Sequence, residues 1–211
     1  MKLIFLSDLH LTLPGELLFG FDPYARLACA MDKINSAYSD ADMVVLLGDL
    51  TDRGRTAAFE ALRDALSKLT LPVAMTLGNH DNREVFTRVF DHADLDENGF
   101  AQSSHVIGDH RLILLDTLER ASSPSGGWGR SEGVLCERRL EWLGSQLDER
   151  PTIIAMHHPA IHFGHEMDAY SLANPDRLLN AISDADVRLK HRAFKLIHIL
   201  RHRSSSSIPA V

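Results

Sequence analysis

Cysteine is scarce in this chain. Only Cys29 and Cys136 occur in 211 residues, and neither belongs to a Cys-x-x-Cys pair. That argues against a disulfide framework and suits a reducing, cytoplasmic setting. Long apolar runs are also missing. No stretch approaches the roughly 20 residues that a membrane-spanning helix needs. The opening MKLIFLSDLHL is interrupted by Asp8 and is too short for a secretory leader. Surplus positive charge is lacking too: 22 Lys and Arg stand against 29 Asp and Glu, for a net charge of −7. General nucleic-acid binding is therefore disfavoured. What the chain does have is an ordinary apolar content of 45%, enough length for one domain with a sizeable core, and 12 histidines. The histidines matter only where they meet carboxylates.

Short apolar runs alternate with amphipathic stretches. Continuous apolar segments at 2–8, 42–49, 72–79 and 151–158 read as buried strands. Helical spacing marks 23–38, with Pro23 near its start, and 56–69, opened by Thr56 with Phe59, Leu62, Leu66 and Leu69 on one face. It also marks 82–90, 136–149 with Leu140, Leu143 and Leu147 inward, and 174–183 with Asn174 as N-cap. Residues 103–117 read as a hairpin turning at Gly108-Asp109, and the Gly- and Ser-rich 119–133 as a loop. This alternation predicts an α/β layered domain with covered sheets.

The chemistry gathers where the strands end. The first ends in Asp8-Leu9-His10 and the second in Gly48-Asp49. The third ends in Gly78-Asn79-His80-Asp81, and the strand at 151–156 in His157-His158. Ligands of layered α/β folds bind beyond the carboxyl ends of the strands. Each piece alone is ordinary: an Asp-x-His is often a cap, a Gly-Asp a turn, a His pair a satisfied core pair. A His inside the Gly-Asn-His-Asp turn is not required by turn geometry. Four such ends together form a ligand set on a rigid scaffold. Carboxylate, amide oxygen and imidazole suit Mn, Fe, Co or Zn. Asp49 can bridge two ions, and a pair about 3.5–4 Å apart clamps an in-line displacement at phosphorus. His80 is placed to assist a leaving oxygen.

The segments SDLHL, GDLTDRG, GNHD and MHHP resemble the calcineurin-like metallophosphoesterase superfamily, whose motif order is DxH, GDxxD, GNH[DE], H and GHxH. Residues 1 to about 187 carry the resemblance. GFDPYARLACAMDKIN, GWGRSEG and RRLEWLGSQLDERPTIIAMHHPAI are similar to its class III cyclic-nucleotide and glycerophosphodiester phosphodiesterase branch. The resemblance implies a four-layer α/β/β/α sandwich. It implies Asp8, His10 and Asp49 on a first metal ion, Asp49, Asn79 and His157 on a second, and His80 as the catalytic group. His158 would stand behind the ligands. The implied reaction is hydrolysis of a small phosphodiester, a cyclic nucleotide such as cAMP or a glycerophosphodiester, by a hydroxide activated between two metal ions.

The pattern breaks after residue 189. The family's GHxH is expected after DADVRL (184–189), and KHRAFKLIHILRHRSSSSIPAV follows instead. Residues 187–211 hold six Lys and Arg and no Asp or Glu. The chain therefore divides into a phosphoesterase domain, 1–189, and a basic, Ser-rich tail, 190–211. One reading is an altered C-terminus, from frameshift or truncation, that lacks the final strands and ligands. A bared interior sheet edge would then favour homo-oligomers. A second has His191, His198 or His202 completing the site, with 194–202 as a short helix that aligns His198 and His202. A third makes the tail a partner segment. A catalytically impaired binding module stands as the alternative to the enzyme. His92, His105 and His110 read as surface or turn residues. His162 and His165 lie on the loop after the His pair and read more readily as ordinary loop residues than as part of a substrate path; Trp128 covers either a substrate mouth or the core.

Overall fold

The structure is a computed structural model that describes residues 1–91, 93–119, 131–161, 164, 166–183, 187–190 and 198–201. His92, Trp128, His162, His165, His191 and His202 lie outside the described residues.

Two four-stranded sheets form the centre. The first has the order β3-β2-β1-β8, from Val73–Thr76, Met43–Leu47, Lys2–Leu6 and His198–Arg201. Strands β1, β2 and β3 run parallel, and β8 is antiparallel to β1. The second has the order β4-β5-β6-β7, from Ser103–Ile107, His110–Leu115, Thr152–Met156 and Val187–Lys190. Here β4 and β5 make the expected hairpin about Gly108-Asp109, and β5, β6 and β7 are parallel.

Strand periodicity sorts the apolar side chains into three cores. On β1 and β2, Leu3, Phe5, Met43, Val45 and Leu47 face inward and meet Leu112, Leu114, Ile153 and Ala155 of the second sheet. The alternate residues Ile4, Leu6, Val44 and Leu46 face outward onto Leu27, Met31 and Ile34 of α1 (Pro23–Ala37), Phe59 and Leu62 of α2 (Thr56–Leu66), and Phe86 of α3 (Arg83–Val89). Beyond the other sheet, Ile113, Leu115, Ile154 and Met156 pack on Leu140 and Leu143 of α4 (Glu137–Gln146) and Leu178 of α5 (Pro175–Ala181). Helices, sheet, sheet, helices is the four-layer α/β/β/α sandwich that the sequence implied. Both faces of each sheet are covered, which is why the strands read as unbroken apolar runs.

Caps depart from expectation at two helices. The residue ahead of α2 is Arg55, whose side chain makes no cap, so Thr56 is the first helical residue and not its cap. Asn174 stands at the N-cap position of α5 as expected, but its side chain does not bond the helix. Its carboxamide pairs with the backbone of Leu135 through Nδ2→O at 2.8 Å and N→Oδ1 at 3.2 Å. A long-range backbone pair outcompetes the local cap, because it satisfies two buried groups at once. Asp22 and Asn82 do cap α1 and α3. The tail also differs from the helix that the His198–His202 spacing allows. Residues 198–201 are a strand on β1, with Leu3 opposite residue 200. The open ladder of β1 overrides the local spacing and leaves that edge covered.

Candidate metal centre

The first two strands that lead to the site stop on a tight backbone. Asp8, His10 and Asp49 all have positive φ, at 57°, 45° and 49°. Left-handed backbone is uncommon outside glycine and marks positions that the surroundings force. What forces it is a ladder of loops: the Asp8 N–H donates to Gly48 O at 3.2 Å, His10 N–H to Asp49 O at 2.9 Å, and Leu11 N–H to Leu50 O at 3.1 Å. Asp81, fully buried, ties the third loop to the second. It accepts from the backbone N–H groups of Leu50, Thr51 and Gly78 and from the Thr51 hydroxyl. Burial and the charge of Asp49 push its carboxyl up to about 7 against those hydrogen bonds.

Asp49 sits at the middle. It is 1% exposed, and three imidazole Nε2 atoms surround its Oδ2: His157 at 3.4 Å, His10 at 3.6 Å and His80 at 4.0 Å. Two ligands of one ion, each about 2.1 Å from it, lie about 3–3.5 Å apart, so these spacings suit shared cations. Oδ1 of Asp49 accepts the His80 backbone N–H at 2.9 Å. Burial alone would raise this carboxyl, but His157, His80 and His10 hold it far below the ordinary range. For His10, burial lowers the pKa but is outweighed by Asp8, Asp49 and Asp52, so it ends raised. His80 ends lowered, with burial ahead of the opposing pull of Asp49.

Donor atoms converge in two groups, Asp8–Asp49–His157 and His10–Asp49–His80, each within 4.8 Å. Asp49 belongs to both, as a bridging carboxylate must. The partition differs from the one implied by resemblance, since His157 falls with Asp8 and His80 with His10. Asn79 is 5% exposed, and its Oδ1 has no hydrogen-bond partner among the described residues. A buried acceptor left this way suits a cation. His157 donates Nδ1–H to Leu47 O at 2.8 Å, which leaves the Nε2 lone pair turned to the Asp49 side. The residues present therefore fit a metal centre of oxygen and nitrogen donors.

Apart from His158, sequence reasoning missed the groups behind the ligands. Asp52 lies 3.8 Å from Nδ1 of both His10 and His80, and its carbonyl is 3.0 Å from His80 Nδ1. The second Asp of GDLTD was the signal, with no role attached. Thr117 Oγ1 lies 2.7 Å from Nδ1 of the fully buried His158. His158 thus stands behind His157, with the two rings 4.9 Å apart. His105 and His110 lie on the β4–β5 hairpin, His105 beside Ser103 and Asp94.

Comparison with known proteins gives the same picture. The chain is 36% identical over 181 residues to a protein of Rhodopseudomonas palustris named a probable cyclic nucleotide phosphodiesterase, covering 83% of this chain and 64% of that one. It is 32% identical to a probable glycerophosphodiester phosphodiesterase of Arcobacter nitrofigilis, covering 82% and 62%. The chain thus spans less than two thirds of the length of these curated relatives. A purple acid phosphatase from yellow lupin shares the fold at a TM-score of 0.52 and 14% identity, over 76% of this chain and 31% of that one. No helix among the described residues is long and apolar enough to cross a membrane. The family model for calcineurin-like phosphoesterases matches residues 1–197, which contain all four motif ends and both donor groups, so the chain belongs to the calcineurin-like phosphoesterase family.

Proposed function

We propose that the chain is a metal-dependent phosphodiesterase acting on a small phosphodiester, a cyclic nucleotide or a glycerophosphodiester. The carrying observation is the ring of three imidazoles about Asp49 Oδ2. The relatives' names support the substrate class. Asp8, His10, Asp49, Asn79 and His157 would hold two ions of the Fe, Mn, Co or Zn kind. Such ions, when bound, supply a nucleophile from water at neutral pH and neutralise phosphoryl charge. His80 donates Nδ1–H to the Asp52 carbonyl, because a carbonyl only accepts, so Nε2 is its titrating edge. A proton carried there would pass to the leaving oxygen, and the burial that lowers the pKa of His80 makes that imidazolium the stronger acid. Asp49→Ala removes the bridging carboxylate and is expected to abolish both metal uptake and turnover of bis-p-nitrophenyl phosphate. Undiminished turnover would sink the assignment.

The second reading is a binding module, and the observation favouring it is that no Gly-His-x-His occurs in residues 187–211. Two ions per chain with hydrolysis support the enzyme. One or none, without hydrolysis, supports the module. In either case we assign the chemistry to 1–189 and treat 190–211 as a basic segment that adds strand β8 to the first sheet. The free state of Cys29 and Cys136 supports a cytoplasmic setting.

A further inference from the structure

Arg83 breaks a local rule. It opens α3, where the positive end of a helix disfavours a cation, and its side chain is only 16% exposed. The guanidinium reaches across to the end of β5 in the other sheet. Nε and Nη2 donate to the two Asp116 carboxylate oxygens at 2.7 and 2.9 Å, and Nη2 also donates to Leu118 O at 2.5 Å. Asp116 is fully buried and also accepts the N–H groups of Ala101 and Leu118. Arg139 of α4, 3% exposed, donates to the carbonyls of Asp116 and Leu118 at 2.7 and 3.1 Å. Both guanidinium groups lie against the Phe100 ring, at 5.2 and 4.6 Å.

This unit belongs to neither donor group, yet it joins the loops that carry them. Arg83 follows Asn79 and His80 by a few residues. Asp116 precedes Thr117, which holds His158 beside His157. The candidate ligands come from both sheets: Asp8, His10, Asp49 and Asn79 follow strands of the first, and His157 follows β6 of the second. A buried ion pair seldom adds stability over an apolar pair of similar volume. Its bidentate geometry does fix distance and angle.

We propose that Arg83 and Asp116, buttressed by Arg139, are positioning residues that set the spacing of the two sheets at the metal centre. Through that spacing they bring His157 within reach of the ion it shares with Asp49. The inference rests on the two-ion reading above. The test is Mn²⁺ titration of the metal-stripped full chain, comparing wild type with Arg83→Met/Asp116→Leu and with Arg83→Lys. The double variant takes their acceptor from the N–H groups of Ala101 and Leu118, so its unfolding midpoint is expected to fall while the chain still folds. It should bind one of two Mn²⁺ about 10–100-fold more weakly and the other unchanged, the range typical of lost outer contacts. Arg83→Lys should fall between, since lysine keeps the charge without the fork. Unchanged affinity for both ions, or equal weakening of both, overturns the proposal. Should the double variant not fold, the near-isosteric Asp116→Asn is read by the same two outcomes. A wild type that takes up no Mn²⁺ overturns the two-ion reading and this inference together, a result distinct from a wild type that binds two ions beside a variant that does the same.

Discussion

At the scale of single residues, close approach decides what the centre tolerates. A Cβ on Gly78 would stand 2.3 Å from Asp49 Oδ1, 2.4 Å from the Asp49 backbone nitrogen and 2.8 Å from His157 Nε2. Nothing there is a flexible side-chain end that can swing away, because Asp49 and His157 are both buried. Gly78→Ala is therefore expected to lower stability by about 1–3 kcal/mol through overpacking. It should also lower metal content, because the methyl group enters the space that the donors share. Urea unfolding and metal analysis of the same preparation check both effects. A glycine ahead of Asn-His is legible in the sequence as a turn. Its second duty, making room for two ligands from other loops, is visible only in three dimensions.

At the scale of elements, strands and their ends were readable and the ties between them were not. Buried strands announce themselves by apolar continuity, and β1, β2, β3 and β6 fall within a few residues of their predicted places. Whether such strands form one sheet or two depends on which alternate residues face each other. Unbroken apolar runs conceal that, so the double layer came from family resemblance and not from periodicity. The ties are long-range: His157 to Leu47, Thr76 to Leu115, Arg83 to Asp116. The N-cap position of Asn174 is local and readable, but the partner of its side chain is not, since Leu135 is 39 positions away. A polar tie of this kind also has a pH signature. Arg111 of β5 donates to Asp148, after α4, at 2.7 Å, and that hydrogen bond, together with the N–H and charge of Arg150, draws the carboxyl down to about 2. A depressed carboxyl contributes stability above its unfolded value of about 3.9 and loses it as pH falls toward the folded value. Asp148→Asn should thus be destabilising at pH 7, and that difference should shrink between about pH 4 and pH 2. Denaturant midpoints of both proteins across that range measure it, and a difference independent of pH would refute the pairing.

At the scale of the whole molecule, the candidate centre is built at the open end of a seam between two sheets. Four carboxylates, Asp8, Asp49, Asp52 and Asp81, gather there among the imidazoles of His10, His80 and His157. Bound metal ions should act as clasps on the folded state. An ion present at 100 times its dissociation constant adds about 2.7 kcal/mol, or about 5–10 °C in midpoint for a chain of this size. Chelation should lower the thermal midpoint by that order, and restoring Mn²⁺ should recover it. A midpoint indifferent to both treatments would mean that no ion distinguishes the folded from the unfolded chain. The wound backbone at Asp8 and His10 carries this further, into how such a protein can change. Glycine would relax φ at either position, by about 1 kcal/mol on general grounds, while deleting a donor. Selection for durability alone would drift toward glycine at 8 and 10, and selection for turnover would forbid it. These two positions are where a lineage released from catalysis would be expected to show it first.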